Sequence, residues 1–519
     1  MKRFLATSAL AGAALMMATA FGAESGGAPR LAWHFVGAAS LEGDTNAVLL
    51  RRALTAPATV QVLERVRERL ADAPQRLAAE RIKDPNADLA GWLREGMTEL
   101  VRRESYGDYR LGAGSAPAFA VGIRVGASAA ADWERGWAEV ARALGAGSPE
   151  PVETTGAKVR LARWPEGSLS TAYAALDDWV GMAIGAEPLQ HLAALREHAT
   201  AQRRDAGSEW FECRGDLAAL LRDESLPAFR LTVVGEGQRL RTQARFDFPA
   251  DLNLDLTPWK LPMNTIRDPL VGFLAVRGFG RHLARCPLWQ QLAPGPAPNQ
   301  YCAWSLGLIS MLSYFAFPMP DAANVLREVT PRLQKLADAS MPYLAPGHFE
   351  YQAETNRTVL RDVIMTVPFL EARPEAEPGF LVGGVSLPLI ATGEPPPPAL
   401  LEQLTGTPDL VAYHWELTQP RLDHWWNVNL FYSMVRTYPP PSPESAVNRW
   451  LRDPELTKCL GNAVTEIRLT GPRTLALNRR SSVGLTGFEL VQLARWIDGE
   501  DFPCWTERQP VLRRLRDAR

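Results

Sequence analysis

The same succession of local patterns occurs twice in this chain, and that repetition constrains the fold more than any other feature. The apolar stretch WVGMAIG (179–185) leads through Pro188 into a helical pattern carrying Leu189, Leu192 and Leu195. MLSYFAFP (311–318) leads through Pro320 into one carrying Ala322, Leu326, Val329 and Leu333. Each is followed by a hairpin pattern. Residues 229–249 turn at Gly235-Glu236-Gly237 and residues 348–369 near Glu354-Thr355-Asn356, where glycine and asparagine suit tight turns. RDPLVGFLAVRGFGRHL (267–283) and GTPDLVAYHWELTQPRL (406–422) then end the two runs. The matched spacing drifts between Phe229–Phe349 and Leu270–Leu410, so the repeat must carry insertions. Hairpin sheets with helices between them belong to an α+β fold rather than a parallel, doubly wound one.

The expected fold is therefore α+β, with duplicated units of antiparallel hairpin sheets and interspersed helices, preceded by a helical N-terminal region. In that region Val60, Leu63, Val66 and Leu70 form one apolar stripe after Pro57. The corresponding boundaries are a signal peptide at 1–20, the mainly helical region at 21–115, a first unit at 116–265 and a second at 266–395. Residues 396–519 complete the second unit. The proline runs at 395–398 and 439–443 are stiff connectors, because proline fixes φ. A last hairpin at 464–480 turns at Gly471-Pro472, and Thr486 with Glu489 makes a capping-box pattern at the start of a final helix.

The chain opens with Lys2 and Arg3, an uncharged run from Phe4 to Ala23, and the small residues Ala18 and Ala20 in an A-x-A pattern. This reads as a cleaved secretory signal, placing the mature chain in the periplasm or outside the cell with no transmembrane segment of its own. The net charge is −2, and only six basic residues are lysine (Lys2, Lys83, Lys158, Lys260, Lys335, Lys458). No dense basic run with interleaved aromatics is present, so nucleic acid is not an expected partner. Five cysteines (Cys213, Cys286, Cys302, Cys459, Cys504) include no C-x-x-C pair, and an odd count leaves at least one thiol without an internal partner. Cys286–Cys302 and Cys459–Cys504 are the pairs closest in sequence for a disulfide.

The densest concentration of reactive side chains is YHWELTQPRLDHWWNV (413–428). Aligning Leu270 with Leu410 sets Leu274 and Val276 against His414 and Glu416, and Arg277 against Leu417. Alternation along a strand sends His414 and Glu416 to one side, within reach of each other. His414, Glu416 and Arg277 are the candidate ligand-binding residues. Thr418 is a helix N-cap with Pro420 in the first turn, and Leu422, Trp425, Trp426 and Leu430 make an apolar stripe. His424 lies about 200° around the helix from Leu422 and so faces away from that stripe.

Other chemistries lack their signatures. There is no H-E-x-x-H, H-x-H or paired-cysteine metal set, and His191 and His198 are about 10 Å apart along a helix. GVSLP (384–388) is a poor nucleophile elbow, and neither a phosphate loop nor G-x-G-x-x-G occurs. No catalytic residue, metal or cofactor is assigned. Trp133 and Trp137 share one helix face, while Trp179, Trp210 and Trp415 sit in apolar strand patterns, which makes them core anchors before they are sugar platforms.

LAWHFVGAASLEGDTNA (31–47), DLVAYHWELTQPRLDHW (409–425) and GNAVTEIRLTGPRTLALNRRSSVGLTGFELVQLARWI (461–497) resemble a group of large exported bacterial proteins without an assigned function. The resemblance implies location and architecture and carries over no functional residue. The leading expectation is a non-enzymatic protein that binds or scaffolds an envelope or extracellular ligand. One alternative is a hydrolase of an envelope polymer with His414, Glu416 or Asp178 as acid/base groups. The other is a carbohydrate-binding protein.

Overall fold

The computed structural model describes residues 31–77, 88–110, 118–154, 157–164, 170–176, 178–202, 209–221, 223–292, 295–307, 312–340, 347–362, 367–373, 379–386, 398–435, 445–499 and 502–503. The expected signal peptide at 1–20 lies outside these residues. The chain divides into two compact units, one of residues 1–249, 449–459 and 492–519, the other of residues 250–448 and 460–491.

The first unit holds β1 (Leu31–Phe35), β2 (Ser105–Arg110), β3 (Ala118–Arg124), β4 (Glu150–Thr154), β5 (Ala157–Arg163), β6 (Ser170–Leu176), β7 (Trp179–Gly185), β8 (Phe211–Asp216), β9 (Ala228–Glu236) and β10 (Arg239–Asp247). Their pairing runs β4-β5-β6-β7-β3-β2-β1-β8-β9-β10, antiparallel throughout. The second unit holds β11 (Leu270–Arg277), β12 (Gln300–Leu306), β13 (Ser313–Pro318), β14 (His348–Gln352), β15 (Arg357–Arg361), β16 (Val367–Arg373), β17 (Phe380–Ser386), β18 (Leu410–Leu417), β19 (Asn462–Gly471) and β20 (Thr474–Ser481). Its order is β14-β15-β16-β17-β13-β12-β11-β18-β19-β20, again antiparallel, so the second unit repeats the first strand for strand. The fold is α+β and the duplication is real.

The matching of its parts differs from the one the local patterns suggest. WVGMAIG is β7, whose counterpart is β17, while the strand at 313–318 is β13 and corresponds to β3. The 229–249 hairpin is β9–β10 and answers to β19–β20, and β14–β15 answers to β4–β5. The segments at 267–283 and 406–422 hold β11 and β18, which are not equivalents but hydrogen-bonded neighbours. The reason is that each unit contains the strand-then-helix phrase more than once. The helices Ala127–Ala143 and Pro188–Gln202 follow β3 and β7, and Ala322–Ser340 and Pro398–Thr405 follow β13 and β17. Only the strand partners, which are distant in sequence, tell the occurrences apart.

A second correction concerns the N-terminal region. The helices Val48–Thr55, Pro57–Ala71 and Leu89–Arg102 do not precede the first sheet, because β1 comes before them and sits between β2 and β8. They are an insertion in the β1–β2 connection.

Local chemistry explains the main elements. β7 is buried along all seven residues, as its continuous apolar run requires when helices cover both faces. The β9–β10 turn has Gly237 and Gln238 both left-handed, at φ 56° and 65°, the geometry that matches the twist of a two-residue hairpin. One face of the first sheet packs Trp33, Tyr109, Phe119, Val121, Ile123 and Met182 against Leu100 of the inserted helices and Trp133 of Ala127–Ala143. On the other face Ala120, Ala172 and Ala183 are small enough for Leu192 and Leu195 to approach closely. Later chain completes this unit: the Trp450 indole donates to Thr59 Oγ1 at 3.0 Å, and Arg69 donates to the Gly499 carbonyl at 2.6 Å. In the second unit, Phe273, Ala275, Cys302, Trp304, Ala316 and Tyr413 pack with Leu404 on one face. Cys213, Cys286, Cys302 and Cys459 are free thiols, so Cys286 and Cys302 are not joined; Cys504 lies outside the described residues. Among the described residues no helix is long and apolar enough to cross a membrane.

Candidate functional site

The candidate pair on β18 falls where strand alternation puts it. Tyr413 and Trp415 enter the apolar face, and His414 and Glu416 point to the other, with His414 Nε2 3.6 Å from Glu416 Oε2. Register carries that face across the sheet. Glu416 lies opposite Gly272, Gly272 opposite Ser305, and Ser305 opposite Ser313, while His414 lies opposite Leu274 and Thr465. The helix Thr418–Val435 covers this row, placing Arg421 and His424 over it.

Glu416 is 1% exposed. Its Oε1 accepts from the Gly487 N–H at 2.8 Å, at the start of the helix Gly487–Asp498. That helix carries the expected capping box: Thr486 Oγ1 accepts from Glu489 N at 3.2 Å and Glu489 Oε2 accepts from Thr486 N at 3.0 Å. Glycine is required at 487, since a Cβ there would lie 2.6 Å from Leu422 N. Glu416 Oε2 is buried without a hydrogen-bond partner among the described residues. Burial pushes the Glu416 carboxyl up, against the pull of the Gly487 N–H and Arg421.

Arg421 runs across Gly272, where a Cβ would come within 2.8 Å of its Cδ, and its guanidinium lies 4.9 Å from the Trp425 ring centroid. It donates to Ser305 Oγ at 2.6 Å; Ser305 Oγ and Ser313 Oγ are 2.9 Å apart, and Ser313 Oγ is 3.0 Å from His424 Nε2. His424 is 2% exposed, not turned outward as the helical stripe suggested. The helix buries a broad arc, with Arg421, Leu422 and His424 all covered. Burial, reinforced by Arg421, lowers the imidazole of His414 to about 4 and that of His424 to about 3.

Arg277 is elsewhere. It alternates onto the Phe273 face and donates to five backbone carbonyls: Leu410, Leu256, Thr257, Thr407 and Pro408, at 2.7–3.3 Å. It also stacks on Trp259 at 4.6 Å. Five donors thus meet five acceptors. The structure brings His414 and Glu416 together and keeps Arg277 apart from them as a clamp on the loops at the strand end. Arg421, Ser305, Ser313 and His424 are the participants sequence reasoning missed. The available signal was two serines inside otherwise apolar strands, WSL and LSYF.

Chemically this cluster is a buried polar layer in which Arg421, Ser305, Ser313 and His424 are bonded in a chain. A serine nucleophile needs a base that can hold its proton near the working pH. An imidazole lowered to about 3 beside a guanidinium is a weak one. Among the described residues no three His, Cys, Asp or Glu side chains are grouped to hold a metal ion.

Two cavities lie outside this layer. One, about 50 Å³ and walled by apolar residues including Leu93, Gly96, Val121 and Met182, sits within the first unit. The other, about 290 Å³, is formed in the second unit by Lys260, Trp289, Gln300, Asp321 and several prolines. Comparison with known proteins adds no relative: no family profile, no curated protein and no solved structure matches this chain.

Proposed function

We propose that the chain is an exported protein that binds or scaffolds an envelope or extracellular ligand without catalysing a reaction. The observation that carries this reading is the engagement of its most reactive side chains. Arg277, Arg421, Ser305, Ser313 and His424 are all bonded inside the second unit, and the imidazoles are stripped of basicity by burial. A ligand-sized cleft that none of these side chains lines opens in the same unit. Export rests on the basic, apolar and small-residue pattern of residues 1–20.

The purified mature chain is expected to show no turnover in a glycosidase, esterase and peptidase screen, and to be recovered from the periplasm or medium of a bacterial host. Turnover abolished by Ser313→Ala, with the fold retained by circular dichroism, would overturn the reading. That outcome would favour the hydrolase alternative, whose specific support is the 3.0 Å Ser313–His424 contact. Labelling of Ser313 by a fluorophosphonate probe would point the same way.

A further inference from the structure

We infer that the 290 Å³ cleft of the second unit is a binding site for a small zwitterion, an amino acid or dipeptide with an apolar side chain. This inference rests on the binding reading above and gives it a ligand class. Three features carry it.

The cleft is preorganised. Gln300, 4% exposed, ties down one wall by accepting from Lys260 N at 2.8 Å and donating to the Pro258 carbonyl at 2.7 Å. Asn299 ties another, donating to the Asp255 carbonyl at 2.7 Å and accepting from Gly280 N at 3.1 Å. Ligand sites of this kind are usually formed before the ligand arrives, and about 290 Å³ is near the lower end of their ~300–1,000 Å³ range.

The charges at the cleft have opposite sign. Among the described residues the Lys260 ammonium meets no carboxylate or carbonyl, and Asp321 receives only the Asn324 amide, at 2.8 and 3.0 Å, which leaves carboxylate lone pairs available. An anion alone would face Asp321, and a cation alone would face Lys260. A zwitterion satisfies both, its carboxylate toward Lys260 and its ammonium toward Asp321.

The remaining lining is apolar, with one donor. Pro296, Pro318, Met319 and Val325 surround the cleft together with Trp289. The Trp289 ring is held 6.4 Å from that of Phe317, and its buried indole N–H has no partner among the described residues. That N–H suits a ligand carbonyl or carboxylate oxygen. A neutral sugar fits less well, because the amide groups it would need, those of Asn299 and Gln300, are already bonded to the protein backbone.

The test is isothermal titration of the full mature chain with three probes: the dipeptide Ala-Leu, its N-acetylated and C-amidated form, and N,N′-diacetylchitobiose. One site for Ala-Leu is expected, with no binding of the capped peptide. Lys260→Ala and Asp321→Ala, both at exposed positions, should each weaken it about tenfold. Trp289→Phe, which keeps an aromatic ring but loses the N–H together with the smaller ring of the indole, should weaken it about threefold with the fold retained by circular dichroism. Equal binding of the capped peptide, binding of the disaccharide instead, or binding of none of the three would overturn the zwitterion site. The disaccharide result would leave the non-catalytic binding reading standing, whereas Ser313-dependent turnover would remove that reading whatever the cleft holds.

Discussion

The two units have the same strand order, yet the same cross-strand row is built from opposite materials. Both β8 and β18 run into a helix, and counting two residues back from each helix start pairs Gly215 with Glu416. From Gly215 the row continues through Leu31, Tyr109 and Phe119; from Glu416 it continues through Gly272, Ser305 and Ser313. One step along the strands, Trp33 lies flat over Gly107 in the first unit, where a Cβ would be 2.1 Å from the ring, and Leu274 stands in its place beside His414 in the second. The covers differ accordingly. The first sheet is roofed by helices inserted between β1 and β2, and the second by the helix that follows β18. The lesson is that hydrogen-bonded strand order is the durable part of this architecture, while the chemistry of the layer above it can change from oil to a polar network in which most groups find partners.

The sharpest way to break the comparison is to empty the first row. Trp33→Ala should cost about 4 kcal/mol in urea unfolding, since it removes a 2%-exposed indole stacked 6.0 Å from Phe119. A loss under about 1 kcal/mol would mean the apolar row is not the core it is taken for. In the second row Arg421→Ala should cost about 3 kcal/mol, because it leaves Glu416 without a buried cation and Ser305 without its donor. The same variant should raise the apparent pKa of Glu416, followed by carboxyl infrared titration.

The rows should also respond differently to acid. His414 and His424 have folded pKa values near 4 and 3 against about 6.5 unfolded, so the stability they confer is present above pH 6.5 and is lost as pH falls toward those values. Glu416 is shifted the other way and loses stability as pH rises through its raised pKa, which offsets part of the effect. A net loss of stability between pH 7 and 4.5 is expected from this row, reduced in His424→Asn, as read from urea midpoints. The corresponding positions in the first unit, Cys213 and Gly215, carry no imidazole or carboxylate. The smallest effect expected is a gain. Gly96→Ala, in the helix Leu89–Arg102 beside the 50 Å³ cavity, places a Cβ 3.7 Å from the Trp133 ring and should stabilise the chain by about 0.5–1 kcal/mol in thermal unfolding.

How much of this was legible in the sequence depended on range. The strands, the hairpin turn near Asn356 and the capping box at Thr486 were readable because their determinants are within a few residues. The pairing of His414 with Glu416 followed from alternation alone. The true register of the repeat was not readable, because the phrase that identifies it recurs within each unit and only partners such as β3–β7 and β13–β17 distinguish the copies. The same limit hid the polar layer. Ser313 meets His424 across 111 positions and Ser305 meets Arg421 across 116, and no periodicity in one segment reports the composition of another.

The completion of the first unit by residues 449–459 and 492–499 has a consequence for how the protein can be made. A polypeptide synthesised from its N-terminus finishes the ten strands of that sheet by residue 247, but the flank of Pro57–Ala71 that receives Trp450 and Gly499 stays bare until those residues have been made. Truncation after residue 249 would therefore leave that flank of the first unit uncovered rather than yield a finished half-protein.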